Sequence, residues 1–368
     1  MQKYLCKFCK LSIFAAIAFT SVFLQAISAQ AESLNNKRSI ERGKFFGATE
    51  TEYPRWFHDG FLVLKEDIAA ASVAGKRLMV LFTQDGCPYC NALVERNLAQ
   101  KDIEALVRSK FEVVAINLVG NREVVHVDGK TYTETSFAEA LKIQFTPTLI
   151  FFNDKGEIIL RLNGYLPPDQ FKIALNYLVE KNDQLSFRDY VELNAPPPKA
   201  GKLNKEPFFM ASPYNLTRKA AGKSKPIAVF FEQKDCPNCD VLHQKVLVDA
   251  ETRKLIAQYD VLQLDMWDKS TSITTPEGKV SSARDWAKQL DIKYAPTIVL
   301  FSGEGKEIIR TEAFFKQFHT QSFFDYVQSG AYKLQPNFQR YISHRSELMR
   351  EQGKDVDIWS MSDETQTK

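Results

Sequence analysis

"DGCPYCNALV" occupies residues 85–94, directly behind the apolar run "RLMVLFT" at 77–83. A short apolar run followed by Cys-Pro and the helical stretch "NALVERNLA" (91–99) reads as a buried strand that turns straight into a helix. A cysteine at the first cap of that helix faces unpaired backbone N–H groups and the positive end of the helix dipole, and both favour thiolate. Such a position lowers a thiol pKa from about 8.5 into roughly the 3.5–7.5 range. Proline next suits the first helical position, where its missing N–H costs nothing. The second cysteine lies one turn on and closes a small ring. On this reading Cys87 attacks a disulfide and Cys90 resolves the mixed disulfide.

The pattern returns. "KDCPNCDVLH" (234–243) places Cys236 and Cys239 at an offset of 149 from the first pair, and the same offset carries far more. Phe82 falls on Phe231, Gln84 on Gln233, Leu141 on Leu290, "QFTPT" (144–148) on "KYAPT" (293–297), and Arg161 on Arg310, with no gap between. That is one duplicated domain, with Cys236 as second nucleophile and Cys239 as second resolving thiol.

Each copy reads as α/β. In the first, Asp102 is expected to cap a helix at 102–109, and "FEVVAINL" (111–118) is a strand. A hairpin turns at Asp128-Gly129, and Ser136 is expected to cap a helix over 136–143. Two strands at 148–153 and 157–164 precede a helix at 167–181 with proline at its start. The order β–α–β–α–β–β–α closes a small mixed sheet covered by helices. Short helices are expected to trail the copies at 187–193 and 338–351, and "NAPPPKAGKLNKEP" (194–207) reads as a linker. The division is a signal peptide 1–31, an N-terminal extension 32–53, domain 1 at 54–193, a Pro-rich linker 194–206, domain 2 at 207–349 and a polar tail 350–368 that is expected to be mobile. Trp359 in that tail reads as incidental.

"Thr146-Pro147-Thr148" and "Ala295-Pro296-Thr297" each open an apolar, β-branched strand. Proline within a sheet belongs at an edge, a bulge or a strand start. A cis X-Pro bond there would leave backbone groups of the preceding residue free to pair with an extended peptide. Thr146, Pro147, Ala295 and Pro296 are therefore candidate substrate-binding residues, with Tyr89 and Tyr294 as candidate groove walls.

A C-x-x-C at a helix start, with a proline before a later strand, resembles the thioredoxin superfamily. The first copy is similar to periplasmic thioredoxins associated with bacterial sulfur oxidation, the SoxW type, through "PRWFHDGFLVLKEDIAAASVAGKRLMVLF" (54–82), "QDGCPYC" (84–90), "FTPTLIFF" (145–152) and "RLNGYLPPDQF" (161–171). The resemblance implies two tandem thioredoxin-like folds, redox pairs Cys87–Cys90 and Cys236–Cys239, cis-prolines at 147 and 296, and protein thiol or disulfide partners. The chain also departs from thioredoxin. Gly86 and Asp235 stand where thioredoxin has Trp, and Leu81 and Phe230 replace its buried acid. Ala313-Phe314 replaces Gly164-Tyr165 in the second copy.

Other chemistries fit less well. A four-thiolate zinc site needs adjacent knuckles, and here each pair sits in its own α/β copy. Haem attachment needs His directly after the second Cys, where Asn91 and Asp240 stand. His243, at i+4 from Cys239, shares a helix face with it. Cys236, Cys239 and His243 would make a soft-metal set for a copper-handling metallochaperone, although neither Met nor a second His accompanies them. No G-x-G-x-x-G occurs, so redox-active disulfides are the only expected cofactors.

The N-terminus adds an address. Three Lys precede the uncharged run "LSIFAAIAFTSVFLQAIS" and then "AQA" at 29–31, which reads as a secretory signal cleaved before Glu32; an uncleaved membrane anchor is the minority reading. Cleavage removes Cys6 and Cys9 and lowers the formal charge from +3 to 0, since Lys3, Lys7 and Lys10 go with no acid. A neutral chain gives no argument for nucleic acid. The expectation is an exported, periplasmic thiol–disulfide oxidoreductase that reduces partner proteins and draws on a membrane electron donor, with oxidase or isomerase work as the alternative.

Overall fold

The computed structural model describes residues 41–180, 185–195, 199–218 and 224–361. The signal segment expected over 1–31 lies outside the described residues. Among the described residues no helix is long and apolar enough to cross a membrane.

The chain begins with a short strand β1 (Phe45–Phe46), and β2 (Leu62–Val63) leads into α1 (Leu64–Val73). The run read as a buried strand is β3 (Arg77–Thr83), whose last six residues are buried. It passes through Cys87 into α2 (Pro88–Ala92), which widens to a π-helical turn over Leu93–Leu98. Then follow α3 (Lys101–Lys110), β4 (Phe111–Asn117), the hairpin β5 (Glu123–Val125) and β6 (Thr131–Thr133), and α4 (Glu134–Ala140). The strands β7 (Thr148–Phe152) and β8 (Ile158–Asn163) and the helix α5 (Pro168–Val179) complete the domain, and α6 (Phe187–Asn194) trails it.

Domain 2 repeats this plan. It runs β9 (Tyr214–Asn215), β10 (Ile227–Glu232), α7 (Pro237–Val241) with a π-helical turn at Leu242–Val246, α8 (Ala250–Ile256), β11 (Asp260–Asp265), β12 (Ser272–Thr274), β13 (Val280–Ser282) and α9 (Ala283–Gln289). It ends with β14 (Thr297–Phe301), β15 (Glu307–Thr311), α10 (Gln317–Gln328) and the trailing α11 (Phe338–Glu351). The two main sheets have orders β4-β3-β7-β8 and β11-β10-β14-β15. In each, the first pair is parallel and the other two are antiparallel. The register repeats too: Val80 faces Ile150 as Val229 faces Val299. These are the expected tandem α/β folds.

Three local expectations are corrected. Asp102 does not cap α3: Gln100 holds that position, and Asp102 pairs with Lys172 instead. Ser136 does not cap α4 either. Thr133 does: its hydroxyl accepts the Ser136 N–H, and the Ser136 hydroxyl, at the third helical position, accepts the Thr133 N–H in return. The tail is docked as far as it is described, to residue 361: β16 (Val356–Asp357) pairs in parallel with β1, joining the two ends of the described chain.

Candidate functional site

Both cysteine pairs sit where the local sequence sends them. Cys87 is the N-cap of α2 and Cys236 that of α7, each with proline immediately after. Each first sulfur accepts the backbone N–H of the second cysteine at 3.1 Å, and each pair is disulfide-bonded. The chain arrives at the cap through a left-handed residue, Gly86 at φ +69° and Asp235 at φ +50°. Only Gly, and occasionally Asn or Asp, adopts that conformation routinely, which accounts for the pair of residue types found there.

Opposite stand the prolines, both cis. The loop ahead of each is held by the following threonine, whose hydroxyl donates to the carbonyl of Phe145 (2.9 Å, from Thr148) or Tyr294 (2.7 Å, from Thr297). Cys87, Pro88, Tyr89 and Thr146 line one cavity, so the fold brings the first pair and its proline loop together. Cys236 and Cys239 share an apolar cluster with Ala295.

The sulfurs are screened. Cys87 is 3% exposed and Cys236 6%, while the resolving Cys90 and Cys239 are fully buried. At the first site the cover is domain 2 and the segment that follows it. Phe315, His319, Phe338 and Ile358 line the same cavity as Cys87, leaving about 30 Å³, room for a water molecule and not for a peptide. The Tyr89 hydroxyl accepts the Lys316 N–H at 2.9 Å, and Trp359 meets the Tyr89 ring edge-on at 5.0 Å. Trp359 is thus a contact of the site, not an incidental residue. Burial pushes the His319 imidazole down to about 4, so it stands neutral beside Tyr89.

The packing of the trailing helices on the two proline loops is reciprocal, although the cluster around Cys236 and Cys239 is built from domain 2 itself. Phe338 of α11 packs on Phe145 at 5.9 Å, and Phe187 of α6 packs on Tyr294 at 6.0 Å. Tyr294 is therefore an interdomain contact. Beneath these rings, Tyr177 meets Phe187 and Tyr190 as Tyr326 meets Phe338 and Tyr341. The buried Arg188 of α6 donates to the carbonyls of Ile292 and Met266 in domain 2, and Gln339 of α11 donates to that of Gln144 in domain 1. Equivalent residues also meet each other: Asn163 donates to Glu312 at 2.7 Å, and a Cβ on Gly164 would come within 3.1 Å of that of Ala313. Contact between equivalent residues is the mark of a two-fold interface. The sequence carried a signal for the trailing helices, F-x-x-Y at 187–190 and at 338–341, displaced by two residues from the main offset.

One group at the second site escaped sequence reasoning. Glu232, at the end of β10, is fully buried. His243 places Nε2 at 2.9 Å from Glu232 and Nδ1 at 3.0 Å from Glu206, and Gln263 donates to the other Glu232 oxygen at 3.0 Å. Burial pushes the His243 pKa down, but the bonds and charges of the two carboxylates outweigh it, and the net shift is upward. Both ring nitrogens are committed to carboxylates, so the ring does not complete a soft-metal set with Cys236 and Cys239. The first copy has Thr83 and Val94 at the matching positions.

A family model described as a thioredoxin-like domain matches residues 64–179 and again 215–328. A search of curated proteins returns no match. Among solved structures, a thioredoxin-fold protein from Helicobacter pylori is 19% identical, covering 36% of this chain and 94% of its own, with a TM-score of 0.30. A thioredoxin from Thermus thermophilus is 26% identical over 33% of this chain and 87% of its own, at a TM-score of 0.26. The C-terminal domain of DsbD from Neisseria meningitidis, in its oxidised form, is 13% identical over 33% and 98%, at 0.24. With one family model matching both copies across more than half its length, the chain belongs to the thioredoxin-like family and is a thiol–disulfide oxidoreductase with a C-x-x-C centre in each domain.

Proposed function

We propose that this is an exported oxidoreductase that reduces disulfides of periplasmic partner proteins, with Cys87 and Cys236 as nucleophiles and Cys90 and Cys239 as resolving thiols. The observation that carries the reading is the twice-built pairing of a helix-capping disulfide with a cis-proline loop. Attack by the first sulfur forms a mixed disulfide with the partner. The second thiolate then displaces the partner as a dithiol and leaves the C-x-x-C oxidised. Thr146 and Pro147, or Ala295 and Pro296, present the edge along which an extended partner segment lies. The export signal expected over residues 1–31 supports the periplasmic address, and the resemblance of the first copy to sulfur-oxidation thioredoxins supports the reducing direction. A reductase in an oxidising compartment draws electrons from a membrane donor.

A full-length Cys90→Ser variant is expected to accumulate partners linked through Cys87 in periplasmic extracts, and Cys87→Ser on the same background to lose them. Absence of any linked partner removes the reading. Measured reduction potentials decide direction: values near those of strong oxidants, about −120 mV, replace reduction with the oxidase alternative.

A further inference from the structure

The face of domain 1 that presents Cys87, Tyr89, Phe145 and Thr146 is apolar, and it is covered. Its cover is not a loop laid across it but the trailing part of domain 2. Phe145 meets Phe315 at 5.8 Å, Phe323 at 5.3 Å and Phe338 at 5.9 Å. Trp359 closes the rim against Tyr89 and lies under the Lys316 ammonium at 4.2 Å. We propose that this face is the docking surface for protein substrates of the first site, and that α10, α11 and the 356–359 segment of the same chain occupy it as an internal competitor. The proposal rests on the reading that Cys87 attacks protein disulfides. A partner segment then reaches Cys87 only when the trailing part of domain 2 lifts away.

Charge fixes which copy supplies the cover. In the first copy, Glu139 of α4 pairs with Arg340 of α11 at 2.7 Å. In the second, Lys288 of α9 pairs with Asp189 of α6 at 2.9 Å. Glu139 and Lys288 are equivalent positions, so the same contact is made twice with opposite polarity. Arg340 docked on a second copy of domain 2 would meet Lys288, and Asp189 docked on a second copy of domain 1 would meet Glu139. Like charges in those alternatives disfavour them, and each trailing helix is directed to the other domain. The rim pair is exposed and supplies selectivity more than strength. The rings supply the strength.

The test uses the full-length chain with Cys6→Ser, Cys9→Ser, Cys236→Ser and Cys239→Ser, so that only the first site carries thiols. The protein is reduced with dithiothreitol, and two readouts follow: alkylation of Cys87 by iodoacetamide, and reduction of insulin. Arg340→Glu sets two acids face to face and is expected to raise both rates about two- to fivefold, the range an exposed pair allows. Glu139→Lys added to Arg340→Glu gives the contact the polarity of its counterpart and is expected to restore both, which a misfolded variant would not do. Trp359→Ala is expected to raise both about tenfold, through loss of one ring contact and one cation–π contact. If insulin is reduced but neither rate responds to any variant, the competitor is refuted and the oxidoreductase reading stands. If alkylation responds while no variant reduces insulin, the protein-disulfide reading fails and takes the competitor with it.

Discussion

Replacing His243 by Val imports the residue that the first copy uses at the matching position. It leaves Glu232 fully buried with Gln263 as its remaining partner in place of two, and strips Glu206 of its imidazole. Removing one member of a buried pair costs about 3–5 kcal/mol, most of it the penalty of stranding the other charge. Glu232→Thr, also taken from the first copy, leaves the buried ring with Glu206 as its remaining carboxylate and is expected to cost a similar amount. The two together recreate a pairing already tolerated at Thr83 and Val94, and the double variant is expected within about 1 kcal/mol of the parent, because a buried ion pair gains little over an apolar replacement of its shape. Urea unfolding, followed by tryptophan fluorescence, reads this directly. At a slope of about 2 kcal/mol per molar urea, each single variant moves the midpoint down by roughly 1.5–2.5 M, and the double barely moves it. pH supplies a second readout. The folded-state pKa of His243 is raised, so its contribution is whole below the ordinary value of 6.5 and fades as pH climbs through the raised one. The parent is expected to lose stability across that window, and His243→Val to lose that slope. Single variants costing under about 1 kcal/mol, or a double variant costing the sum of the singles, would refute the reasoning.

Two more perturbations probe the interdomain contact. Gly164 sits at φ +86° with Ala313 and Phe315 at 3.1 Å from where a Cβ would go; Gly164→Ala is expected to cost about 1–2 kcal/mol and to speed proteolytic cleavage between the domains. Arg188→Met removes charged donors from the carbonyls of Ile292 and Met266, and a loss of about 2–4 kcal/mol is expected to split a shared urea transition into two.

Much of this architecture is written locally. The strand at 77–83 and the helix at 338–351 fall where their apolar patterns put them, because each pattern is bounded by residues that cannot continue it. The helix-capping cysteines are legible for the same reason, whereas the cis-prolines at 147 and 296 follow from the family resemblance, and a third cis bond at Ser212-Pro213 has no counterpart in the sequence reading. Asp102 misled because a carboxylate near a helix start serves the first turn or a distant lysine equally well, and Lys172 is 70 residues away. The π-helical turn at Leu93–Leu98 has no residue signature. Least legible was the cover over Cys87. Nothing around residue 87 announces Phe338 or Trp359, and the apolar rings that meet there each read singly as ordinary core. Glu232 gives no local signal because it closes an apolar strand and its partner His243 lies 11 residues on, itself bonded to Glu206 37 residues back.

A dimer of identical chains must confront itself at its axis, glutamate with glutamate, glycine with glycine. Here Asn163 faces Glu312 and Gly164 faces Ala313, unlike partners at a place where symmetry would demand like ones. Joining the halves in one polypeptide lifted that demand, so each side of the seam was free to change alone. It also made the association first-order. The halves encounter one another at the millimolar effective concentrations that short tethers impose, however dilute the protein becomes.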